Sequence, residues 1–166
     1  MTNQSAFLKR VTALALALMF LAGSSLTRVE AAPAPAPALT PEQIEAVIED
    51  AFAGLVTFDA PRLLQHYAAD AVLEDPVGTP PMVGQQAIAN YLATFPTLFN
   101  QLKLYSLNIK VGGQEAAVTW RLRFTTKTGK TFFLEGIGWF QFNEAGKVQH
   151  EKQFFDLAYF LEQLQG

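Results

Sequence analysis

The 166-residue sequence contains no cysteine and only two histidines, His66 and His150. Without cysteine the chain cannot form a disulfide, a thiolate metal site or a cysteine nucleophile. The two histidines lie far apart in the sequence and share no metal-ligand spacing, so we expect neither a metal nor another cofactor. A nucleophilic triad, a phosphate-binding loop and a dinucleotide fingerprint are also missing from the sequence. These absences leave few residues that could carry chemistry.

Charge is also scarce, at 16% of the residues, and the formal net charge is −3. Near the N-terminus, Lys9 and Arg10 precede the short apolar run 11–22, and residues 29–31 resemble a signal-peptidase site. This pattern predicts a cleaved signal peptide over residues 1–31 and export to the periplasm or beyond. The apolar run has 12 residues, whereas a membrane-spanning helix needs roughly 20. We therefore expect no membrane anchor after cleavage.

Cleavage after residue 31 would remove three basic side chains and one acidic side chain, which changes the net charge from −3 to −5. A negative chain of this kind is a poor partner for nucleic acid or for an anionic membrane surface. Residues 32–38 alternate alanine and proline, a composition typical of an extended linker, and we expect the linker to span residues 32–39. The folded domain is expected to span residues 40–166.

Helical signals fill the first half of this domain. Thr40, Pro41 and Gln43 form the pattern of a capping box with proline in the first turn. A second short helix is expected after Asp59. A third should follow Gly84 and end at Pro96. The apolar positions of the three predicted helices are Ile44, Val47, Ile48, Ala51, Phe52 and Leu55, then Leu63, Leu64 and Tyr67, then Ile88, Tyr91, Leu92 and Phe95.

Alternating sequences replace the helical pattern after residue 100. Residues 102–111, 116–126, 131–142 and 147–155 alternate between apolar and polar side chains and are separated by glycine-containing turns, which predicts an antiparallel meander. Asp156 is placed to cap a terminal amphipathic helix. Helices followed by a sheet indicate an α+β domain, with the helices packed on one face of a curved, mostly antiparallel sheet.

Asp75 is the residue that most suggests chemistry. It lies where the strand around Val72 and Leu73 breaks, and Pro76 removes the next backbone donor and ends the pairing. A carboxylate held by a rigid turn beside an apolar interior is a candidate proton acceptor. A residue that only caps the turn would have the same local sequence, so both interpretations stay open.

The chain has 14 phenylalanines, and many fall on the predicted strands. Ordinary core packing explains such residues. The alternative is a conical cavity for a flat apolar ligand, because Gly136 and Gly138 lie in one strand and glycine in a strand leaves space. We expect the cavity to be lined by Phe52, Leu55, Tyr67, Leu134, Gly138, Phe140 and Phe155.

Arg121 and Arg123 alternate with Trp120, Leu122 and Phe124 on one predicted strand. A one-residue change of register at the preceding hairpin decides which set faces the interior. We expect the arginines to face outward, because burying two unpaired guanidinium groups is costly. Inward arginines would instead indicate an acidic ligand.

The sequence resembles the nuclear transport factor 2-like superfamily, in particular the branch of ketosteroid isomerases and SnoaL-like polyketide cyclases. The resemblance rests on YAADA at 67–71, EDPVG at 74–78, VG at 83–84 and FNEAGKV at 142–148. It implies a cone-shaped α+β fold, a homodimer and a hydrophobic small-molecule ligand. The superfamily hosts isomerases, cyclases, hydrolases and binders without catalysis, so the fold does not fix the activity.

Ketosteroid isomerase uses an aspartate base and an oxyanion hole of a tyrosine and a protonated aspartate. The resemblance places the base at Asp75, but the two oxyanion donors at Ala51 and Gly138, which carry no donor. Loss of one such donor typically costs about 3–4 kcal/mol of transition-state stabilisation, whereas a base alone supplies roughly 10²–10⁴-fold. Efficient steroid isomerisation by that mechanism is therefore not expected. The two small residues should also leave a larger cavity, suited to bulky ligands.

Three hypotheses follow. In the first, an exported domain binds a hydrophobic molecule and uses Asp75 as proton acceptor in isomerase- or cyclase-type chemistry. In the second, the domain is a noncatalytic carrier or sensor. In the third, it is a protein-interaction module whose sheet binds another protein, which a structure without a cavity beneath Asp75 would favour.

Overall fold

The computed structural model of this protein describes residues 38–165. The predicted signal peptide and residues 32–37 of the predicted linker lie outside the described residues. Within the described range the helices are α1 Pro41–Thr57, α2 Ala60–Leu64, α3 Gln85–Leu92, α4 Phe95–Leu98 and α5 Leu157–Gln165. The strands are β1 Tyr67–Glu74, β2 Met82–Val83, β3 Phe99–Gly112, β4 Glu115–Thr126, β5 Thr131–Phe142 and β6 Val148–Phe154.

Helix α1 begins at the predicted capping box. The Thr40 side chain accepts a hydrogen bond from the Gln43 backbone N–H at 3.3 Å, and the Gln43 side chain accepts one from the Thr40 N–H at 2.8 Å. Ile44 and Ile48 on one face of the helix are fully buried. The helix ends at Phe58, whose φ of 58° is left-handed. Asp59 then caps α2.

Two helices are shorter than the sequence predicts. Helix α2 ends at Leu64, so Tyr67 begins strand β1 instead of belonging to the helix. Helix α3 ends at Leu92, and Pro96 lies in the first turn of the separate helix α4. Proline is well suited to a first helical turn, because its missing N–H would have no partner there.

The six strands form one curved, open sheet in the order β2-β1-β6-β5-β4-β3. Strands β3 to β6 are the predicted meander, and their bounds differ from the predicted ones by three residues or fewer. Strand β1 pairs with β6 in parallel, while the other pairs are antiparallel. The helices pack on this curved sheet, so the predicted α+β cone is confirmed.

Alternation along β4 and β5 separates the two faces of the sheet. Val118, Trp120 and Leu122 are buried on the inner face, whereas Phe133 and Ile137 are exposed on the outer face. In the described part of the chain, no helix combines the length and the apolar character needed to cross a membrane.

Candidate active site

An apolar cavity of about 80 Å³ lies between the helices and the inner face of the sheet. Its walls come from the helices, from the inner face of the sheet and from the segment after β6. Twenty residues line it: Ala51, Phe52, Leu55, Leu63, Tyr67, Leu73, Asp75, Ile88, Tyr91, Leu92, Phe95, Trp120, Leu122, Phe124, Leu134, Phe140, Glu151, Gln153, Phe155 and Phe160. The cavity is several times larger than the space that one buried water needs.

The structure brings most of the predicted ligand-binding residues to this cavity. Its lining includes Phe52, Leu55, Tyr67, Leu134, Phe140 and Phe155, together with Asp75. Gly138 is the exception. Its α-carbon faces inward, but a β-carbon there would lie 2.8 Å from the Phe140 ring and 3.0 Å from the Gln153 amide. These two side chains cover Gly138 and separate it from the cavity.

The paired glycines make room for the protein's own side chains and not for a ligand. A β-carbon on Gly136 would lie 2.2 Å from Cζ2 of the Trp120 indole. The indole therefore occupies the space that Gly136 leaves, as Phe140 and Gln153 occupy that of Gly138. The expected enlargement of the cavity is not found. A cavity of about 80 Å³ is about half of the roughly 150 Å³ that holds benzene in an engineered protein core.

Asp75 directly follows β1, as the sequence predicts, and its carboxyl group lies at the cavity wall. The Asp75–Pro76 peptide bond is cis. The Val77 N–H donates to the Gln153 carbonyl at 2.8 Å, which fixes the loop to β6. The Tyr91 hydroxyl, on α3, donates to Asp75 Oδ2 at 2.9 Å. The loop contact at Val77 and the Tyr91 hydroxyl therefore both hold Asp75 in place. In the described residues, its other carboxylate oxygen accepts no hydrogen bond from a side chain.

Glu151 is a second carboxyl group in the same cavity. It lies on β6 beside Leu73 of β1 and is only 7% exposed. The Tyr67 hydroxyl donates to Glu151 Oε2, and the Gln153 amide nitrogen donates to Oε1 at 2.5 Å. The Trp120 indole N–H donates to the Gln153 amide oxygen at 2.7 Å. Four polar side chains thus form one hydrogen-bond chain across the cavity wall.

Burial shifts both carboxyl groups toward their protonated forms. Removal from water raises the pKa of Asp75 to about 6, against which the Tyr91 hydrogen bond acts. Removal from water also raises the pKa of Glu151 to about 7, opposed by the Tyr67 and Gln153 hydrogen bonds and reinforced by the Asp75 charge. The same burial, together with the neighbouring carboxylates, raises the pKa of Tyr67 and that of Tyr91 well above that of a free tyrosine. Both phenols therefore remain hydrogen-bond donors.

The arginines face away from the cavity, as expected. The Arg121 guanidinium lies over the Phe133 ring and pairs with Glu135 at 3.1 Å, and Arg123 donates to the Gln101 side chain. Trp120 and Leu122 face inward instead. Among the described residues that line the cavity, none carries a positive charge. The inward-arginine alternative, and with it the argument for an acidic ligand, is therefore removed.

Neither histidine belongs to the cavity. His66 contacts Asp50 at 2.7 Å, where Arg62 also binds, near the start of β1. Over residues 38–165, no group of three or more His, Cys, Asp or Glu side chains is arranged to hold a metal.

Sequence analysis missed Glu151 because of an irregularity in β6. The pairing with β5 shifts between Gln141–His150 and Phe142–Val148, so Gln149 has no paired residue. Val148 and Glu151 are therefore both buried although they are three residues apart. Simple alternation from Val148 would place His150 and Lys152 inside. Counting back from Gln153 would have found the inward position of Glu151.

The comparisons with known proteins agree with this architecture. A family model described as SnoaL-like domain matches residues 48–151. The chain belongs to the SnoaL-like domain family. The predicted resemblance to this branch of the nuclear transport factor 2-like superfamily is confirmed.

Solved structures of similar fold include the following three. A candidate polyketide cyclase from Xanthomonas campestris pv. campestris shares 16% identity, with a TM-score of 0.67 over 74% of this chain and 97% of its own. An NTF2-like protein of unknown function from Burkholderia pseudomallei K96243 shares 17%, with a TM-score of 0.68 over 75% and 98%. TerC, co-crystallised with polyporic acid, shares 21%, with a TM-score of 0.67 over 75% and 99%. At these identities the likeness establishes the fold alone.

Proposed function

We propose that this SnoaL-like domain binds a small hydrophobic molecule in the cavity and transfers a proton on it, with Asp75 as the acceptor. The observation that carries the proposal is the position of the Asp75 carboxyl group, which is fixed by Tyr91 and faces a largely apolar cavity. A carboxylate with few water contacts and a raised pKa is a stronger base than an exposed one. Isomerase- and cyclase-type reactions both need such a base.

The cavity also defines the class of ligand. Its lining in the described chain holds two carboxyl groups and no cation, so an anionic ligand would add a third acidic group to an apolar site. A neutral ketone with an acidic C–H bond fits better. Because the cavity volume is about 80 Å³, against the roughly 150 Å³ that holds benzene, a ketone with one six-membered ring requires small movements of the lining side chains and a steroid requires larger ones. One structure of similar fold, a candidate polyketide cyclase, supports a ligand of ketone chemistry.

A small β,γ-unsaturated ketone tests the proposed activity. Cyclohex-3-en-1-one becomes its conjugated isomer when a base removes a proton from the carbon between the double bond and the carbonyl and a proton is returned to the far carbon. The wild-type protein is expected to accelerate this conversion, followed by ultraviolet absorbance. Asp75→Asn should lower the rate by about 10²-fold or more, because the amide cannot accept the proton.

Asp70→Asn is the matched control for this experiment, because Asp70 lies on β1, the strand that Asp75 directly follows, but is exposed. Its rate should stay within about twofold of wild type. A rate that is equally low in both variants, or unchanged in Asp75→Asn, contradicts the role of Asp75 as the base.

Phe160 limits the size of the ligand in this proposal. Its ring, on α5, packs against Phe99, Phe124 and Phe155 with centroids 5.7–6.2 Å apart. Helix α5 contains no fully buried residue, so Phe160 belongs to the outer part of the core, and removal of its ring enlarges the cavity that it lines. Phe160→Ala should therefore increase the turnover of a 5-ene-3-ketosteroid at least tenfold relative to that of cyclohex-3-en-1-one. Leu161→Ala, at a 46% exposed position of the same helix, should leave the ratio unchanged. An unchanged ratio in Phe160→Ala would refute this role.

A noncatalytic carrier is the second candidate. It is favoured by Ala51, which lines the cavity and has no side-chain hydrogen-bond donor. A carrier should retain an apolar molecule when purified from its own host, and the Asp75→Asn form should retain the same amount. Mass spectrometry of the intact complex measures both. The absence of a cavity beneath Asp75 would have favoured the interaction-module alternative, whereas Asp75 lines a cavity.

Export and dimerisation are further parts of the proposal. The sequence features at residues 9–31 support export. A homodimer is supported by the outer face of the sheet, where Phe133, Ile137 and Phe154 are 36–51% exposed. An apolar area of this kind on a sheet is typical of an interaction surface.

A further inference from the structure

Glu151 and Asp75 reach the same cavity from neighbouring strands. Strands β1 and β6 are parallel, and Glu151 pairs in register with Leu73, two residues before Asp75. Both carboxyl groups line the cavity. The negative charge of Asp75 raises the pKa of Glu151, and the charges of both carboxyl groups raise the pKa of Tyr67. The titratable groups that face Glu151 are Tyr67 and Asp75 from the β1 side and Tyr91 from α3. No basic group stands among the cavity-lining residues that the structure describes.

Two adjacent carboxylates without a cation are not both ionised in an apolar site, because each charge lacks solvation and repels the other. One of the pair therefore keeps its proton near neutral pH. Asp75 retains some exposure to water, whereas Glu151 is buried. The deeper group loses more hydration energy on ionisation, so Glu151 is the one that holds the proton.

The hydrogen bonds around Glu151 suit a group that releases a proton. Tyr67 and Gln153 each donate to a different oxygen of its carboxyl group. These two donors stabilise the carboxylate that forms when the proton leaves. Gln153 cannot reverse its amide without losing a bond, because its oxygen accepts from the Trp120 N–H at 2.7 Å. Tyr67, Gln153 and Trp120 are thus positioning residues for Glu151.

We infer that Glu151 is a second proton-transfer residue, which donates to the carbonyl oxygen of a neutral enolisable ketone while Asp75 removes the carbon-bound proton. This inference rests on the proposed function. It adds that Glu151 is the acid that acts together with the Asp75 base, and that Glu151 contacts the carbonyl end of the ligand.

The step balances in protons and charge. In the first half, the Asp75 carboxylate takes a proton from the carbon next to the carbonyl, and the C–H electron pair becomes the carbon–carbon double bond of an enol. The carbonyl π electrons take the Glu151 proton, so Asp75 becomes neutral and Glu151 becomes the carboxylate. In the second half, Glu151 recovers the proton from the enol oxygen, and Asp75 returns its proton to the far carbon of the conjugated system. No oxidant, metal or second substrate is needed.

The pH dependence of cyclohex-3-en-1-one turnover tests the two roles separately. The wild-type rate should increase with pH as Asp75 ionises (the rising limb) and decrease at higher pH as Glu151 loses its proton (the falling limb). Because the two groups interact, the apparent pKa of each limb describes the pair and not one residue. Glu151→Gln should lower the maximum about 10²-fold and remove the falling limb while keeping the rising one. Tyr67→Phe removes a donor to the carboxylate and should move the falling limb to higher pH. Glu144→Gln, at an exposed turn, should reproduce the wild-type profile.

A ligand that need not be converted provides an independent measurement. The carbonyl stretching frequency of bound cyclohexanone, labelled with ¹³C at the carbonyl, should shift to lower wavenumber because Glu151 donates to the oxygen. The shift should be retained in Asp75→Asn and lost in Glu151→Leu. This result would stand even if no ketone were turned over, so it separates a failure of the inference from a failure of the proposed function.

Three outcomes would overturn the inference. The first is a Glu151→Gln profile that keeps both limbs, which would give Glu151 only a structural role. The second is loss of the rising limb in that variant, which would exchange the roles of the two carboxyl groups. The third is a carbonyl shift that survives in Glu151→Leu and disappears in Tyr67→Phe, which would make Tyr67 the donor.

Discussion

Raising the pH from 5 to 8 is expected to lower the free energy of unfolding by about 3 kcal/mol. Burial raises the pKa of Asp75 from 3.8 to about 6 and that of Glu151 from 4.5 to about 7. A carboxyl group with a raised pKa in the folded state binds more protons folded than unfolded. Its stabilising effect is complete below the pKa of the unfolded chain and is lost as the pH rises through that of the folded protein. The relevant window is therefore pH 4 to 7.

The double variant Asp75→Asn, Glu151→Gln isolates this effect. Urea unfolding of the variant should show a smaller decrease in stability between pH 5 and pH 8 than that of the wild type. Between pH 5 and pH 8, the wild type should lose about 3 kcal/mol more of its free energy of unfolding than the variant does. Asp50 does not interfere, because Arg62 and His66 lower its pKa to about 2 and its stabilising effect is lost only in acid. Parallel pH dependences in the two proteins would refute the burial argument.

A decrease in stability of this kind is typical of a functional site that buries ionisable groups where apolar side chains would be more stable. The core around the cavity consists largely of phenylalanine, leucine and isoleucine. With apolar residues at positions 75 and 151, the free energy of unfolding would depend less on pH. The chain instead surrounds the two carboxyl groups with three side-chain donors, from Tyr67, Tyr91 and Gln153. We interpret this arrangement as the structural basis of the proposed proton transfer.

Local signals predicted most of the fold. The capping box at Thr40, the glycine turns at Gly113 and Gly129 and the alternation of β4 and β5 each depend on neighbouring residues, and each structure formed where expected. The position of Asp75 after β1 could also be predicted from neighbouring residues, because proline at the next position ends the strand pairing. For the same reason, the boundaries of the predicted strands were accurate.

The site was only partly predictable, because its remaining features depend on contacts between distant residues. Tyr91 was expected to face inward, but nothing in the sequence pairs its hydroxyl with Asp75 across 16 positions. Glu151 was hidden by the unpaired Gln149 in β6. The space that the glycines of β5 leave is filled by Trp120 of β4, by Gln153 of β6 and by Phe140 of β5 itself, and not by a ligand as the sequence suggested. Periodicity assigns a residue to a face, but it does not show which side chain fills a gap.

The positions of the polar groups explain how a member of this family can lack the expected donors. Ala51 lines the cavity without a donor and Gly138 is covered by Phe140 and Gln153. The polar groups of the cavity lie elsewhere, on β6 at Glu151 and on α3 at Tyr91. The absence of donors at two positions therefore does not make the cavity wholly apolar.

Gly136→Ala is expected to destabilise the protein by about 3 kcal/mol, at the upper end of the range for overpacking. The new methyl group would lie 2.2 Å from the Trp120 indole and 2.8 Å from the Phe154 carbonyl. The indole is 6% exposed, packs against the Phe155 ring and is bonded to Gln153. Movement of the indole away from the new methyl group, toward the cavity that it lines, would break these contacts. Gly112→Ala is the control, because a β-carbon there meets nothing within 4 Å, and it should change stability by less than about 0.5 kcal/mol.

A double-mutant cycle shows whether the indole is the cause. Trp120→Ala alone should cost about 3–5 kcal/mol, but Gly136→Ala added to it should cost only about 1 kcal/mol, because the backbone contact with Phe154 remains. The coupling energy of about 2 kcal/mol would be measured by urea unfolding. Additive effects would show that the strain lies in the backbone and not in the indole. If the coupling is found, β5 carries glycine at position 136 to seat the tryptophan that orients Gln153, and through Gln153 the Glu151 carboxyl group.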